Sequence, residues 1–199
     1  MKIQKRAKKI EEPLSYTVEV RDKEGRVIQR ISAPSRSYVE QWNQIINYHV
    51  AQAFQSITDV FGVPRASSSG WAESLDASAA IGDDSHGIRV GKGTTAVAID
   101  DFALETPLGE GVGVDDFNHQ AMTFTVPAVV GPTCSFTIKR IMVNNSGATI
   151  SNIREIGCYV KFWAGATRFG LGFRDVLPGG VTVPDGGSIT VTYTIAATV

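Results

Sequence analysis

The sequence predicts a mainly β protein: an antiparallel β-sandwich or jelly-roll-like domain with an N-terminal hairpin and one amphipathic helix. Three observations lead there. Residues 188–199 alternate with period two, placing Ile189, Val191, Tyr193 and Ile195 on one face and Thr190, Thr192, Thr194 and Ala196 on the other. Alternation of β-branched and aromatic residues with polar ones marks a strand half-buried in a sheet. Similar runs recur through the chain, some eight to ten in all, bounded by turn clusters such as Asn144-Asn145-Ser146-Gly147 and Pro184-Asp185-Gly186-Gly187. Only one stretch has helical periodicity, so the recurring crossover helices of a parallel sheet are missing.

Composition sets outer bounds. The 199 residues are 43% hydrophobic and 20% charged, a globular balance with length enough for one large β domain. A net charge of −1 provides no global attraction to nucleic acid or membrane. No run approaches the ~20 apolar residues of a membrane-spanning helix. The start is basic and then acidic, without the apolar core of a signal peptide, so the expectation is a soluble protein made in the cytoplasm. Cys134 and Cys158 both lie in apolar strand-like runs and are expected to be buried free thiols.

Taken in order, residues 1–13 read as an arm: Lys2, Lys5, Arg6, Lys8 and Lys9 precede Glu11, Glu12 and Pro13. Such a segment is a solvated terminus or a contact to a neighbouring subunit or nucleic acid. Five cations with no interleaved aromatic residue are a weak nucleic-acid signature. Residues 16–21 and 26–31 flank Asp22-Lys23-Glu24-Gly25, with Gly25 suited to the left-handed position of a hairpin turn. Ala33-Pro34-Ser35 is expected to break the second strand.

Ser37-Tyr38-Val39-Glu40 has the capping-box pattern and predicts a helix running to about Thr58. Val39, Trp42, Ile46, Val50, Ala53 and Ile57 form its apolar stripe, widened by Ile45, His49 and Phe54. Gln41, Asn43, Gln44, Gln52 and Gln55 fall on the opposite face, a charge-free amide surface that suits either solvent or another subunit. Residues 66–87 are rich in Ser, Ala, Gly and Asp and predict a long loop. Trp71 is expected to anchor that loop to a core or an interface. The implied organisation is an arm at 1–13, a hairpin plus helix at 14–65, a loop at 66–87 and a sandwich at 88–199, with 14–199 forming one compact unit.

No catalytic or cofactor set is visible, and the protein reads as a non-enzyme without cofactor or metal. Gly91-Lys92-Gly93-Thr94-Thr95 lacks the spacing and the Ser/Thr after lysine of a phosphate loop, and Gly109-Glu110-Gly111-Val112-Gly113 follows no strand and opens no helix. The acidic pairs Asp83-Asp84, Asp100-Asp101 and Asp115-Asp116 fit turn chemistry better than the ligand pattern of a calcium loop. His49, His86 and His119 lie on separate elements, which does not suggest zinc, and no nucleophile-elbow motif is present.

Several stretches of the second half resemble small structural proteins of tailed bacteriophages and related viruses. They are residues 90–95 leading to 100–108, the Asn144–Gly147 cluster leading to Ile153-Arg154-Glu155-Ile156-Gly157, and Phe173-Arg174-Asp175-Val176-Leu177 followed by 181–195. The likeness is one of pattern over residues 88–199, and it departs at Cys158, where a leucine would be expected. It implies a virion component of the capsid, tail or a fibre, made in the host cytoplasm, whose partners are copies of itself and other virion proteins. Lys2, Lys5, Arg6, Lys8, Lys9 and Trp71 are then the candidate assembly contacts, with nucleic-acid contact by the arm an open alternative. Two other classes remain open: a carbohydrate- or ligand-binding module using Trp71, Trp163 and Phe169, and a non-viral filament subunit.

Overall fold

In the computed structural model the described residues are 14–35, 37–51, 56–67 and 75–198. The N-terminal hairpin forms as its turn residues require. Strands β1 (Leu14–Arg21) and β2 (Val27–Ser35) are joined by a turn in which Gly25 takes φ 81° and donates its N–H to Asp22 O at 3.0 Å. Asp22 holds the turn further by accepting the N–H groups of Glu24 and Arg26. Pro34 does not break the second strand: it pairs with Ser15 inside β2. β2 lies at the sheet edge, where the missing proline N–H interrupts no ladder.

The single α-helix among the described residues, α1 (Glu40–Ala51), is shorter than predicted and differently started. Residues 37–39 run extended beside the β12 strand (Thr167–Val183): Ser37 O accepts the Arg174 N–H, and the Val39 N–H donates to Gly172 O. Ser37 therefore does not cap the helix. Its hydroxyl is engaged by Ser35 and Asp175 instead. Ile57 is buried as predicted, but in strand β3 (Ser56–Thr58), which pairs with β4 (Pro64–Ala66) as a short hairpin. The buried helix face is turned by one residue from the predicted stripe. Gln41, Ile45 and Tyr48 are buried at i, i+4 and i+7, while Trp42 and Ile46 are only half-buried. Close docking explains the turn. A Cβ on Gly172 would lie 3.1 Å from the Trp42 ring, so the glycine lets helix and strand approach, with Trp42 packed against Tyr38 and Phe173. Ala53, Phe54, Gln52 and Gln55 lie outside the described residues.

The remaining strands are β5 (Gly87–Gly91), β6 (Gly109–Glu110), β7 (Asp116–His119), β8 (Thr123–Phe124), β9 (Ala128–Val130), β10 (Thr133–Val143), β11 (Ile150–Trp163) and β13 (Ser188–Thr198). They build two layers in a sandwich-like arrangement. The larger sheet runs β2-β1-β13-β10-β7-β6, with β8 and β9 continuing along β10 beyond β7; the smaller runs β12-β11-β5. Apart from the short β6–β7 pair every ladder is antiparallel. The final strand is central, hydrogen-bonded to β1 on one side and β10 on the other, with Tyr193 level with Tyr16 and Ile138. The N-terminal hairpin thus belongs to the same sheet as the C-terminus.

The predicted strands at 168–176 and 181–183 are one strand, β12. Its register with β11 jumps from Glu155↔Val176 to Ile153↔Val181, a bulge that absorbs Leu177-Pro178-Gly179-Gly180. Between the sheets lies one core: Leu14, Val18, Val20, Ile138, Met142, Ile189, Val191 and Tyr193 face Ile88, Val90, Ile156, Cys158, Phe173, Val181 and Val183. Tyr193 meets Phe173 edge-on with centroids 4.6 Å apart.

Candidate functional site

Four constellations carry polar chemistry or exposed apolar surface, and the first lies where the sequence shows a false phosphate loop. After Gly91 the chain turns and its amides do cradle an anion, but one of the protein's own. Glu155, fully buried on β11, accepts the N–H groups of Gly93 at 2.9 Å, Thr106 at 2.7 Å and Glu105 at 3.0 Å. Glu105 in turn accepts the Thr94 and Thr95 N–H groups at 2.7 and 2.9 Å. A Cβ on Gly93 would sit 2.6 Å from Glu155 Oε1, so glycine is required by this approach. Arg174 closes the network, donating Nε to Glu155 at 3.0 Å and Nη1 to Asp101 at 2.9 Å, with Glu105 at 3.7 Å from Nη2. The second glycine-rich stretch behaves alike: Gly109 and Gly113 wrap the Asp116 carboxylate, which a Cβ on either would meet at 2.6 Å.

Arg140 centres the second constellation. Fully buried on β10, its guanidinium donates to backbone carbonyls: Nε to Gln120, Nη1 to His86 and Ile88, Nη2 to Ala80 and Asp83. Two buried imidazoles stand near it. His119 Nδ1 lies 2.7 Å from Glu110 Oε2, and His86 Nδ1 lies 3.1 Å from Ser85 Oγ and 3.3 Å from Asp83 Oδ2. Burial, with the Arg140 charge as a further cause, holds both imidazoles below the ordinary histidine range. Ser85, His86 and Asp83 are not a catalytic relay, because hydroxyl and carboxylate share the same ring nitrogen; a triad needs them on opposite ones.

The third is a buried acid. Asp175 accepts the Tyr193 hydroxyl at 3.0 Å and is bonded by Ser35 and Ser37, yet burial raises its carboxyl above the usual range. It lies at the floor of an open cleft of about 530 Å³ lined also by Tyr16, Pro34, Tyr38 and Ile99.

The fourth is apolar and exposed. Among the described residues the β1–β13 ladder ends at Leu14↔Ile195, while β9, β10 and the end of β13 continue as a three-stranded ribbon. Val126, Val129 and Val130 on it are 83%, 72% and 79% exposed, and Phe124, Cys134 and Ala197 are exposed beside them. Residues 121–138 and 188–199 contain no charged side chain. Other exposed apolar residues such as Phe61, Ile81 and Ile99 sit in separate loops. A contiguous apolar, charge-free surface is the usual mark of an interaction site.

The candidate assembly contacts named from sequence, Lys2, Lys5, Arg6, Lys8, Lys9 and Trp71, lie outside the described residues. Trp163 and Phe169 are half-buried, Phe169 stacking on His86 at 5.7 Å. His49 is half-buried against Tyr48. Of the acidic pairs, Asp83 and Asp101 bond as turn aspartates do, and Asp84 and Asp115 serve ion pairs. Asp83 accepts Ser85 N–H and Asp101 accepts Ala98 N–H, while Asp84 pairs with Arg89 and Asp115 with Lys92. Both cysteines are free; Cys158 is buried, its thiol pushed up to about 12 by burial, but Cys134, expected to be buried, is exposed between Val129 of β9 and Ala197 of β13. The ribbon had a sequence signal that strand patterning overlooks, the long gap between charges. No family model matches the chain, and neither a curated protein nor a solved structure shows significant similarity to it.

Proposed function

We propose that this protein is a structural subunit of a virus particle, in the capsid, tail or a fibre, and that it works by homo-oligomeric assembly. The observation that carries the assembly half of this reading is the exposed valines Val126, Val129 and Val130, which lie in a stretch without charge. Leaving such valines in water forfeits about 25 cal/mol for each Å² that association would cover. The virion half is supported by the pattern likeness of residues 88–199 to small structural proteins of tailed bacteriophages. The interior polar groups agree with a scaffold role: Glu155, Arg174 and Arg140 are used up in binding loops of their own chain.

Sedimentation or mass photometry over a concentration series, with micrographs of the assembled product, tests the reading. Oligomers that grow with concentration are expected. Protein that stays monomeric at the highest concentrations overturns it. A shortened chain beginning at Leu14 separates the part played by the arm: equal assembly by both forms assigns it none. A second reading, a carbohydrate- or ligand-binding module, draws on the cleft between Tyr16 and Tyr38; saturable binding on a glycan array by a monomeric protein would favour it.

A further inference from the structure

Residues 79–86 are held in place largely by one side chain. Arg140 donates to their carbonyls at Ala80, Asp83 and His86, and beyond that the segment is tied by the Gly82 N–H to His119 O and the Met122 N–H to Ala79 O, both 2.9 Å. Two imidazoles flank this contact, His86 in the segment and His119 on β7, 1% and 0% exposed. In each ring Nδ1 faces a carboxylate, Asp83 Oδ2 at 3.3 Å and Glu110 Oε2 at 2.7 Å. An ionised carboxylate only accepts, so Nδ1 carries the ring's proton. The other nitrogen, Nε2, is buried in both rings without a hydrogen-bond partner among the described residues.

We infer that residues 79–86 form a clasp that opens in acid: protonation of Nε2 on His86 and His119 frees this segment from Arg140 while both sheets stay paired. The groups around the two rings give the reason. His119 is faced by Glu110 from β6, Arg140 from β10 and Arg89 from β5. His86 is faced by Asp83 and Asp76, by Lys161 from β11 and by Arg140, with the Phe169 ring of β12 stacked on it. Asp84 is taken by Arg89 and Asp76 by Lys161, each at 3.2 Å, and Glu110 and Asp83 already serve Nδ1. A new Nε2–H therefore meets no acceptor. It also adds a cation beside the buried guanidinium from the segment and another from the strand facing it. A buried, unpaired, charged donor is costly, and reaching water removes the cost. The β1–β13–β10 ladder contains no histidine and has no such reason to part. Opening uncovers Met122 and the Arg140 guanidinium, a surface that exists only in acid. The clasp does not depend on assembly.

Hydrogen exchange on the full-length protein, corrected for the intrinsic pH dependence of exchange, tests it. Opening of 79–86 should grow by up to about tenfold per pH unit for each histidine titrating. Between pH 7.5 and 5 the total should reach at least about tenfold, with protection unchanged in β1, β13 and β10. His86→Gln/His119→Gln should keep the acid value within about twofold of the neutral one. If that variant does not fold, imidazole NMR of the wild type decides: both rings should gain their proton together with the loss of protection in the segment. Four results would each overturn the clasp. They are protection lost equally from sheets and segment, opening that ignores pH, a double variant that opens in acid like the wild type, and imidazoles that titrate in the ordinary range with the segment closed.

Discussion

Arg140 and Arg174 are both buried, Arg140 on the inward face of β10 and Arg174 under the loop at 93–106, yet the protein accommodates the two guanidinium groups in opposite ways. Arg174 is met by carboxylates, Glu155 and Asp101 directly and Glu105 nearby, so one cation gathers three acids from separate segments. Arg140 is met by carbonyl oxygens of residues 80, 83, 86, 88 and 120, and its charge is balanced only at a distance by Asp83 and Glu110. Burial lowers the pKa of Arg140, whereas the carboxylate bonds outweigh burial and raise that of Arg174. The difference shows two ways to make a long loop part of a rigid body. An ion network couples side chains to side chains, and breaking it strands a buried charge. A carbonyl cage couples a side chain to backbone, and breaking it releases a loop that water can enter.

The largest expected effect comes from breaking the ion network. Glu155→Gln would set an amide NH₂ against donors that now share a carboxylate and leave Arg174 short of its buried partner, costing about 3–5 kcal/mol in a denaturant titration. A loss under about 1 kcal/mol would show that Asp101 and Glu105 suffice. Arg140→Met should cost somewhat less, about 2–4 kcal/mol, because the orphaned carbonyls can rehydrate. Its signature is local: hydrogen exchange should quicken in residues 79–88 while the β1–β13–β10 ladder keeps its protection. Uniform loss of protection would contradict the cage-and-loop account.

The same comparison sets the pH response. His86 and His119 are held low by burial first and by Arg140 among the other causes. Below the unfolded histidine value, about 6.5, the unfolded chain binds more protons than the folded one. Their contribution is therefore intact above about pH 6.5 and is lost as pH falls through the lowered folded values. Melting temperature should decline from pH 7.5 to 5, and His119→Asn should flatten that decline; an unchanged slope would remove His119 from the account. The smallest effect is expected at Ser37→Ala, about 1 kcal/mol. It should arise from Asp175 losing a hydrogen bond, so the Asp175 carboxyl should titrate still higher by NMR, while helix content stays as in the wild type. Lost helix content would restore the capping role.

Much of the scaffold was legible in the residue pattern. The parity of Ile189, Val191 and Tyr193 marks the buried face of β13, and Gly25 and Gly186 announce left-handed turns that the backbone adopts at φ 81° and 71°. The parity of β10 even contained Arg140, which falls in step with Ile138 and Met142 on the buried face. A cation at an inward position is a signal for a buried hub, although its carbonyl partners lie 20 to 60 residues away in sequence. The helix stripe misled because periodicity fixes which residues share a face but not which face the sheet will accept. With Gln41 set beside Gly170 and the Trp42 ring beside Gly172, the face that ends buried carries Gln41, Ile45 and Tyr48.

By itself, then, the sequence determined the antiparallel β character, the hairpin and the buried parity of the long strands, because these depend on neighbours two to five residues apart. Only the tertiary structure decided that the glycine-rich loops enclose the chain's own carboxylates, that Ser37 serves Asp175 rather than a helix, and that Val126, Val129 and Val130 stay exposed. Those outcomes depend on which distant segment arrives opposite each group and on where one strand outlasts its partners. No local pattern encodes that, since the same alternation that buries one end of β10 between two sheets leaves its other end only partly covered.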